Sequence, residues 1–128
     1  MAITRNMQPT VSLRLQLRVD GVPVMGPGRA ALLAAIADTG SISAAGRHLG
    51  MSYKRAWSLV EATNAAFREP LVRAAKGGPG GGGASLTAVG ETVLAAWRAL
   101  EQGATTAGVD ALETLGEAAR LPARQPPA

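Results

Sequence analysis

The feature that most constrains the fold is a pair of capped helical segments that meet at a glycine turn. Ser41 is a good N-cap for a helix over residues 42–49, and Ser52 is a good N-cap for a second helix that runs to about Arg68. Gly50 stands between them, at a point where a helix C-terminus favours the left-handed backbone conformation. The pattern predicts two helices joined by a tight turn.

Small and apolar residues occupy the positions where these two helices would touch. Ala45 and Gly46 permit a close crossing, and a face of the second helix centred on Ala56 continues through Val60 and Thr63. The opposite face of that helix is polar. The spacing is that of a helix-turn-helix motif that reads DNA.

The segments before the motif predict a hairpin and a helix. Residues 12–19 alternate apolar and polar side chains, which is typical of a half-buried strand. Residues 22–25 can return as an edge strand, because Pro23 has no N–H to donate to a ladder. A helix over residues 29–38 follows, with its apolar residues on one stripe.

The segments after the motif predict a second hairpin and two further helices. Strands over residues 71–75 and 84–87 flank the loop 77–83, in which six of seven residues are glycine. This hairpin has the place of a wing. The two helices are expected from Ala88 to about Gly108 and over residues 110–121.

This order of elements predicts a mainly α fold with a small β-hairpin wing, a winged helix-turn-helix with a long C-terminal helix. The 128 residues suit one domain, and 47% hydrophobic but only 3% aromatic residues favour closely packed helices. We expect an N-terminal arm (1–11), the winged domain (12–102), a helical extension that supports dimerisation (103–121) and a disordered tail (122–128).

The composition argues against several functional classes. The chain has no cysteine and only one histidine, His48, so we expect no metal site and no cofactor. It shows no Ser-His-Asp or paired-carboxylate arrangement, which argues against an enzyme. It has no signal-like or membrane-spanning run, so we expect a cytoplasmic protein with no membrane partner.

The charge is concentrated in the centre of the sequence. Residues 28–76 carry seven Lys and Arg against three Asp and Glu, whereas residues 77–128 carry three against five. A basic centre favours an anionic partner, and nucleic acid is favoured over a membrane because no basic amphipathic helix stands alone at a terminus.

The first turn of the second motif helix carries the residues that we expect to read double-stranded DNA. The N-terminal residues of a recognition helix approach base edges in the major groove, which assigns Tyr53, Lys54, Arg55 and Ser58. The backbone at Ser52 can hold a phosphate. The alternative is a solvated helix face, which would be the better interpretation of an isolated Lys-Arg pair, but the adjoining turn favours DNA.

Basic residues also flank the glycine-rich loop. A loop of this kind lets the backbone approach the sugar-phosphate chain while Arg73 and Lys76 neutralise charge. Gly78 and Gly80, together with Ser43 in the first motif helix, complete the predicted DNA-contacting set. The alternatives are a loop without a partner and a nucleotide site, and the strand expected after the loop disfavours the latter.

Several of these segments resemble the N-terminal DNA-binding domain of the ModE-type molybdate-responsive transcriptional regulators, a winged-helix group related to the LysR-type domain. The resemblance covers roughly residues 12–102, and its most specific element is the glycine run that ends in Gly-Ala-Ser-Leu-Thr, with Gly90 three residues later. The segments that carry it are residues 40–43, 51–57, Asn64, 70–75 and 77–90.

The resemblance implies a homodimer that binds operators near genes of molybdenum uptake or use, and it implies no enzyme activity. Its DNA-reading segment falls on Ser52 to Arg55 and Ser58, and its wing on Arg73, Lys76 and the glycine run. Members of the family continue into small β-barrel domains that bind molybdate. No all-β sequence follows the long helix here, so we carry over no molybdate site.

Apolar residues on the last two helices are candidates for a dimer interface. An alternative function uses the same surface, since a protein-interaction module could heterodimerise with a full-length regulator and modulate it. Whether the pure protein binds duplex DNA alone would discriminate the two. The predicted interface residues are Val93, Trp97, Leu100, Leu112 and Leu115.

Overall fold

The computed structural model describes residues 10–75 and 83–120. Residues 14–101 form one compact unit, and residues 10–13 with 102–120 form another. The order of elements confirms a mainly helical winged helix-turn-helix. The elements are β1 (Leu17–Val19), β2 (Val22–Met25), α1 (Pro27–Thr39), α2 (Ile42–His48), α3 (Tyr53–Ala65), β3 (Val72–Ala74), β4 (Ala84–Leu86), α4 (Ala88–Ala107) and α5 (Val109–Ala118).

The N-terminal hairpin forms, but its first strand is much shorter than the sequence pattern predicts. β1 pairs antiparallel with β2, and Val19 lies opposite Val22. The predicted half-buried strand over residues 12–19 is wrong in its extent, because β2 ends at Met25, opposite Leu17, just before α1 begins at Pro27. Residues 12–16 therefore have no partner in β2, and all three residues of β1 are exposed.

The core of residues 14–101 is built from small and aliphatic side chains that helices α1 to α4 and the base of the wing contribute. Leu32, Leu33 and Ile36 of α1 lie at its centre, each with almost no exposed surface. Helices α2 and α3 cross closely at Gly46. A Cβ added at this glycine would lie only 2.9 Å from Ala56 Cβ, so a larger residue would not fit without a shift. The prediction that Ala45 and Gly46 mark the crossing is therefore confirmed.

The wing strands β3 and β4 pair antiparallel, with Arg73 opposite Ser85. The Ala75 N–H donates to the Gly83 carbonyl at 2.8 Å, and the Ala84 N–H donates to the Gly40 carbonyl, also at 2.8 Å. The second bond attaches β4 to the turn between α1 and α2. The wing is thus anchored next to the helix-turn-helix motif.

The sequence spacing predicts one apolar face of α4, formed by Val89, Val93, Trp97, Leu100 and Ala104. Of this face, Trp97 lies in the core, and Val89 and Val93 pack against it. Gly90, Leu94 and Trp97 are buried, whereas Leu100 is 49% exposed. The reason is the close approach at Gly90, where any Cβ would overlap the Leu71 carbonyl oxygen. That approach fixes the rotation of the helix and brings Leu94, which lies outside the predicted face, into the core.

In the unit that contains helix α5, the N-terminal segment lies against the helix. Gly116 is buried, and a Cβ there would overlap a methyl group of Val11. Among the described residues, no helix has the length and apolar character that crossing a membrane requires. The same residues hold no cluster of three or more metal-ligating side chains.

Candidate nucleic-acid interface

The turn between α2 and α3 has the capping geometry that the sequence predicts. Ser41 Oγ accepts a hydrogen bond from the Ala44 N–H at 3.1 Å, and Ser52 Oγ accepts one from the Arg55 N–H at the same distance. Gly50 adopts a φ of 72°, which side-chain-bearing residues rarely reach. Both N-caps and the left-handed glycine are therefore confirmed.

A further backbone bond closes the turn. The Met51 N–H donates to the Gly46 carbonyl at 2.8 Å, so the chain folds back over the end of α2 before α3 begins. Met51 also packs against the core. The turn is tight, and the direction of α3 is set by bonds between residues that are close in the chain.

Helix α3 presents one face to the core and the other to solvent. Ala56, Val60 and Thr63 are buried, as predicted, and the Thr63 hydroxyl donates to the Leu59 carbonyl of its own helix at 2.7 Å. The helix ends at Ala65, earlier than the Arg68 that the sequence predicts. The chain leaves the helix there, and Phe67 packs against the core.

The residues predicted to read DNA lie together on the outer face of the first two turns of α3. Lys54, Arg55 and Ser58 are exposed, and Tyr53 is 63% exposed. The Tyr53 ring meets the Trp57 ring edge to face, with centroids 6.2 Å apart. This contact restrains an aromatic ring that otherwise projects into solvent.

The remaining predicted contacts lie on neighbouring elements. Ser43 is half-buried in the first turn of α2, and Arg73 is exposed on β3. The other predicted wing residues, Lys76, Gly78 and Gly80, lie outside the described residues.

The structure identifies one polar residue to which sequence analysis assigned no role. Asn64, in the last turn of α3, accepts hydrogen bonds at Oδ1 from the N–H groups of Leu71 at 2.8 Å and Val72 at 3.0 Å. Its Nδ2 donates to the Val72 carbonyl at 3.1 Å. A helical asparagine six residues before a proline is a weak sequence signal for such a role. Only the hydrogen bonds in the structure show that Asn64 connects α3 to β3.

The predicted dimer-interface residues differ in how much surface they offer. Leu100 and Leu115 are exposed, while Val93 and Leu112 are half-buried. Trp97 is only 3% exposed, because it lies in the core of its own chain. Its prediction as an interface residue is therefore corrected, since almost none of its surface remains for a second copy.

Comparison with known proteins agrees with this geometry. Residues 29–91 match the family described as bacterial regulatory helix-turn-helix protein, lysR family. This match begins in α1 and ends in the first turn of α4, so it contains the motif and the wing.

Relatives with curated names extend the match. The chain is 57% identical to the molybdenum-pterin-binding protein MopB of Rhodobacter capsulatus over 79 residues, which are 62% of this chain and 29% of MopB. It is 44% identical over 108 residues to MopA of the same organism, covering 84% of this chain and 40% of MopA. It is 42% identical over 93 residues to the DNA-binding transcriptional dual regulator ModE of Escherichia coli K12, covering 73% and 33%.

The matched part therefore spans 40% or less of each of these three relatives. The resemblance to the ModE-type DNA-binding domain is confirmed by these matches. The chain contains a helix-turn-helix domain of the lysR family, similar in sequence to part of the ModE and Mop proteins.

Proposed function

We propose that this chain is a sequence-specific DNA-binding transcriptional regulator that acts as a homodimer on a pseudo-palindromic operator. The observation that carries the proposal is the outer face of α3, where the capped turn projects Tyr53, Lys54 and Arg55 away from the core. A recognition helix needs this geometry, since its N-terminal residues have to reach base edges in the major groove.

The side chains on this face suit base recognition. Lys54 and Arg55 can donate to guanine O6 and N7, Ser58 can bond to several bases, and the Tyr53 ring offers an apolar contact to a thymine methyl group. The N-terminus of α3 at Ser52, and Ser43 of α2, are proposed to face backbone phosphates.

The wing is proposed to follow the sugar-phosphate backbone beside the groove. Arg73 lies on the exposed side of β3 and supplies a cation there. Lys76, Gly78 and Gly80 remain part of the proposal from the sequence. If each subunit places about four cations on phosphates, a plot of log affinity against log salt concentration should have a slope of about −7 for the dimer.

The homodimer is proposed to use apolar side chains of the last two helices. Val93 and Leu100 on α4, and Leu112 and Leu115 on α5, offer such surface within their respective units. Two-fold symmetry would place two recognition helices about 34 Å apart, which is one turn of DNA.

A link to molybdenum metabolism or transport is proposed from the names of the relatives. Two are called molybdenum-pterin-binding proteins, and the ModE of Azotobacter vinelandii is called a molybdenum transport protein. The operator is therefore expected near genes of this kind. No molybdate site, cofactor or catalytic role is assigned to the chain.

Selection from a pool of random-sequence duplexes tests this function. The purified protein is incubated with the pool at physiological salt, with and without molybdate, and bound DNA is sequenced. We expect an enriched palindrome that molybdate does not alter. An absence of enrichment would contradict DNA reading and would favour a module that heterodimerises with a full-length regulator. Enrichment of a single half-site would contradict the homodimer.

A further inference from the structure

Three consecutive peptide groups that lead into the wing are held by one side chain. The Asn64 amide bonds to the N–H groups of Leu71 and Val72 and to the Val72 carbonyl. The last of these belongs to the peptide group that joins Val72 to Arg73. A single amide on the recognition helix therefore fixes the backbone up to the cation of the wing.

The same short segment is held from its other side by the start of α4. The Thr87 N–H donates to the Leu71 carbonyl at 2.9 Å, and the Thr87 hydroxyl donates to the Pro70 carbonyl at 2.8 Å. The Gly90 N–H donates to the Thr87 hydroxyl oxygen at 2.9 Å. We call residues 70–72 the wing joint, because Asn64 of α3 and Thr87, the residue before α4, both bond to it.

Two residues of the wing joint, Leu71 and Val72, are buried, whereas Pro70 is exposed, so the polar groups of the buried pair depend on these partners. Leu71 is fully buried and Val72 nearly so. A buried N–H without an acceptor destabilises the fold, which makes Asn64 the residue that the joint cannot easily replace. Neither aspartate, which lacks the donor for Val72, nor alanine, which lacks all three bonds, can reproduce the arrangement.

We propose that Asn64 is a positioning residue for DNA binding, which acts by setting the wing cation Arg73 against the recognition helix. This proposal rests on the proposed function. Asn64 itself is not proposed to touch DNA. Its effect on binding passes through the wing joint and the β3 backbone to Arg73.

The slope of log affinity against log salt tests the proposal, because it counts phosphate contacts. Arg73→Ala should reduce the slope by about one per subunit. Asn64→Ala should cause a similar reduction, and adding Arg73→Ala to it should change the slope no further. The titrations use the selected duplex, at a temperature where circular dichroism shows each variant folded, and the active fraction is titrated first.

Thr63→Val is the matched control. Thr63 is the adjacent residue, is buried, and bonds only within its own helix, so its loss lowers stability without touching the wing joint. A variant that is merely less stable lowers the active fraction but keeps the slope. We expect the wild-type slope for Thr63→Val. An unchanged slope for Asn64→Ala, or a further reduction on adding Arg73→Ala, would overturn the proposal.

A measurement without DNA separates this inference from the proposed function. Residual dipolar couplings report the orientation of the Arg73 and Ser85 N–H groups relative to α3. We expect Asn64→Ala to change or average these couplings and Thr63→Val to preserve them. Unchanged couplings in Asn64→Ala would overturn the positioning role, whereas a wild-type protein that binds none of the duplexes would overturn the proposed function and its link to Asn64 but not the orientation of Arg73 by Asn64.

Discussion

The helix-turn-helix crossing and the wing joint solve the same problem with different kinds of contact. At the crossing, Gly46 approaches the Ala56 side chain, and caps within a few residues set the angle. At the wing joint, Gly90 approaches the Leu71 backbone, and the hydrogen bonds to the joint connect residues 7 to 17 positions apart. The crossing is local, and its side-chain contact tolerates small shifts. The wing joint depends on segments that are distant in the chain and on a backbone contact that cannot shift.

Gly90→Ala should have the largest effect, because the new Cβ would overlap the Leu71 carbonyl. We expect a loss of about 3 kcal/mol in the free energy of unfolding, measured by urea denaturation. Gly103→Ala is the control, since nothing lies near that position in the same helix. It should stabilise the protein by up to about 1 kcal/mol. Equal effects at both glycines would contradict the close approach.

Gly46→Ala should destabilise less, by about 2 kcal/mol, because its Cβ meets a methyl group rather than backbone. Ala56→Gly removes that methyl group, so the double variant should recover part of the loss. Thermodynamic double-mutant analysis by denaturation should give a coupling of about 1 kcal/mol. Additive losses would show that the two positions do not share the crossing.

Ser52→Ala should cost about 1 kcal/mol, since the Arg55 N–H loses its capping acceptor. Ser52→Asp keeps an acceptor at the cap and should retain most of the stability. It also places a negative charge where a phosphate is proposed, so its affinity for duplex DNA should fall below that of Ser52→Ala. Denaturation and fluorescence anisotropy check the two effects, and equal affinities of the two variants would argue against a phosphate at this helix end.

The contrast explains what could be predicted from the sequence. The caps at Ser41 and Ser52, the left-handed Gly50 and the buried face of α3 each depend on residues close in the chain, and each is confirmed. Exposure of Lys54 and Arg55 follows from the same helical period.

Features that depend on distant segments could not be predicted in this way. The buried stripe of α4 is set by Leu71, and the role of Asn64 in the fold is set by bonds to a strand after the helix. The N-terminal alternation overstated the length of β1, because pairing also requires a partner strand, and β2 ends opposite Leu17. Periodicity shows which face of a helix or strand can be buried, but tertiary contacts decide which face is buried in the fold.

The most direct test of the central claim is the discrimination between the selected duplex and a scrambled one, measured for the wild type and for Lys54→Ala with Arg55→Ala. We expect this double variant to keep its helix content and some affinity for both duplexes but to lose discrimination between them. Arg14→Ala with Arg98→Ala removes the same charge from exposed positions elsewhere and should keep discrimination. Undiminished discrimination in the Lys54 and Arg55 variant would contradict the assignment of α3 as the recognition helix.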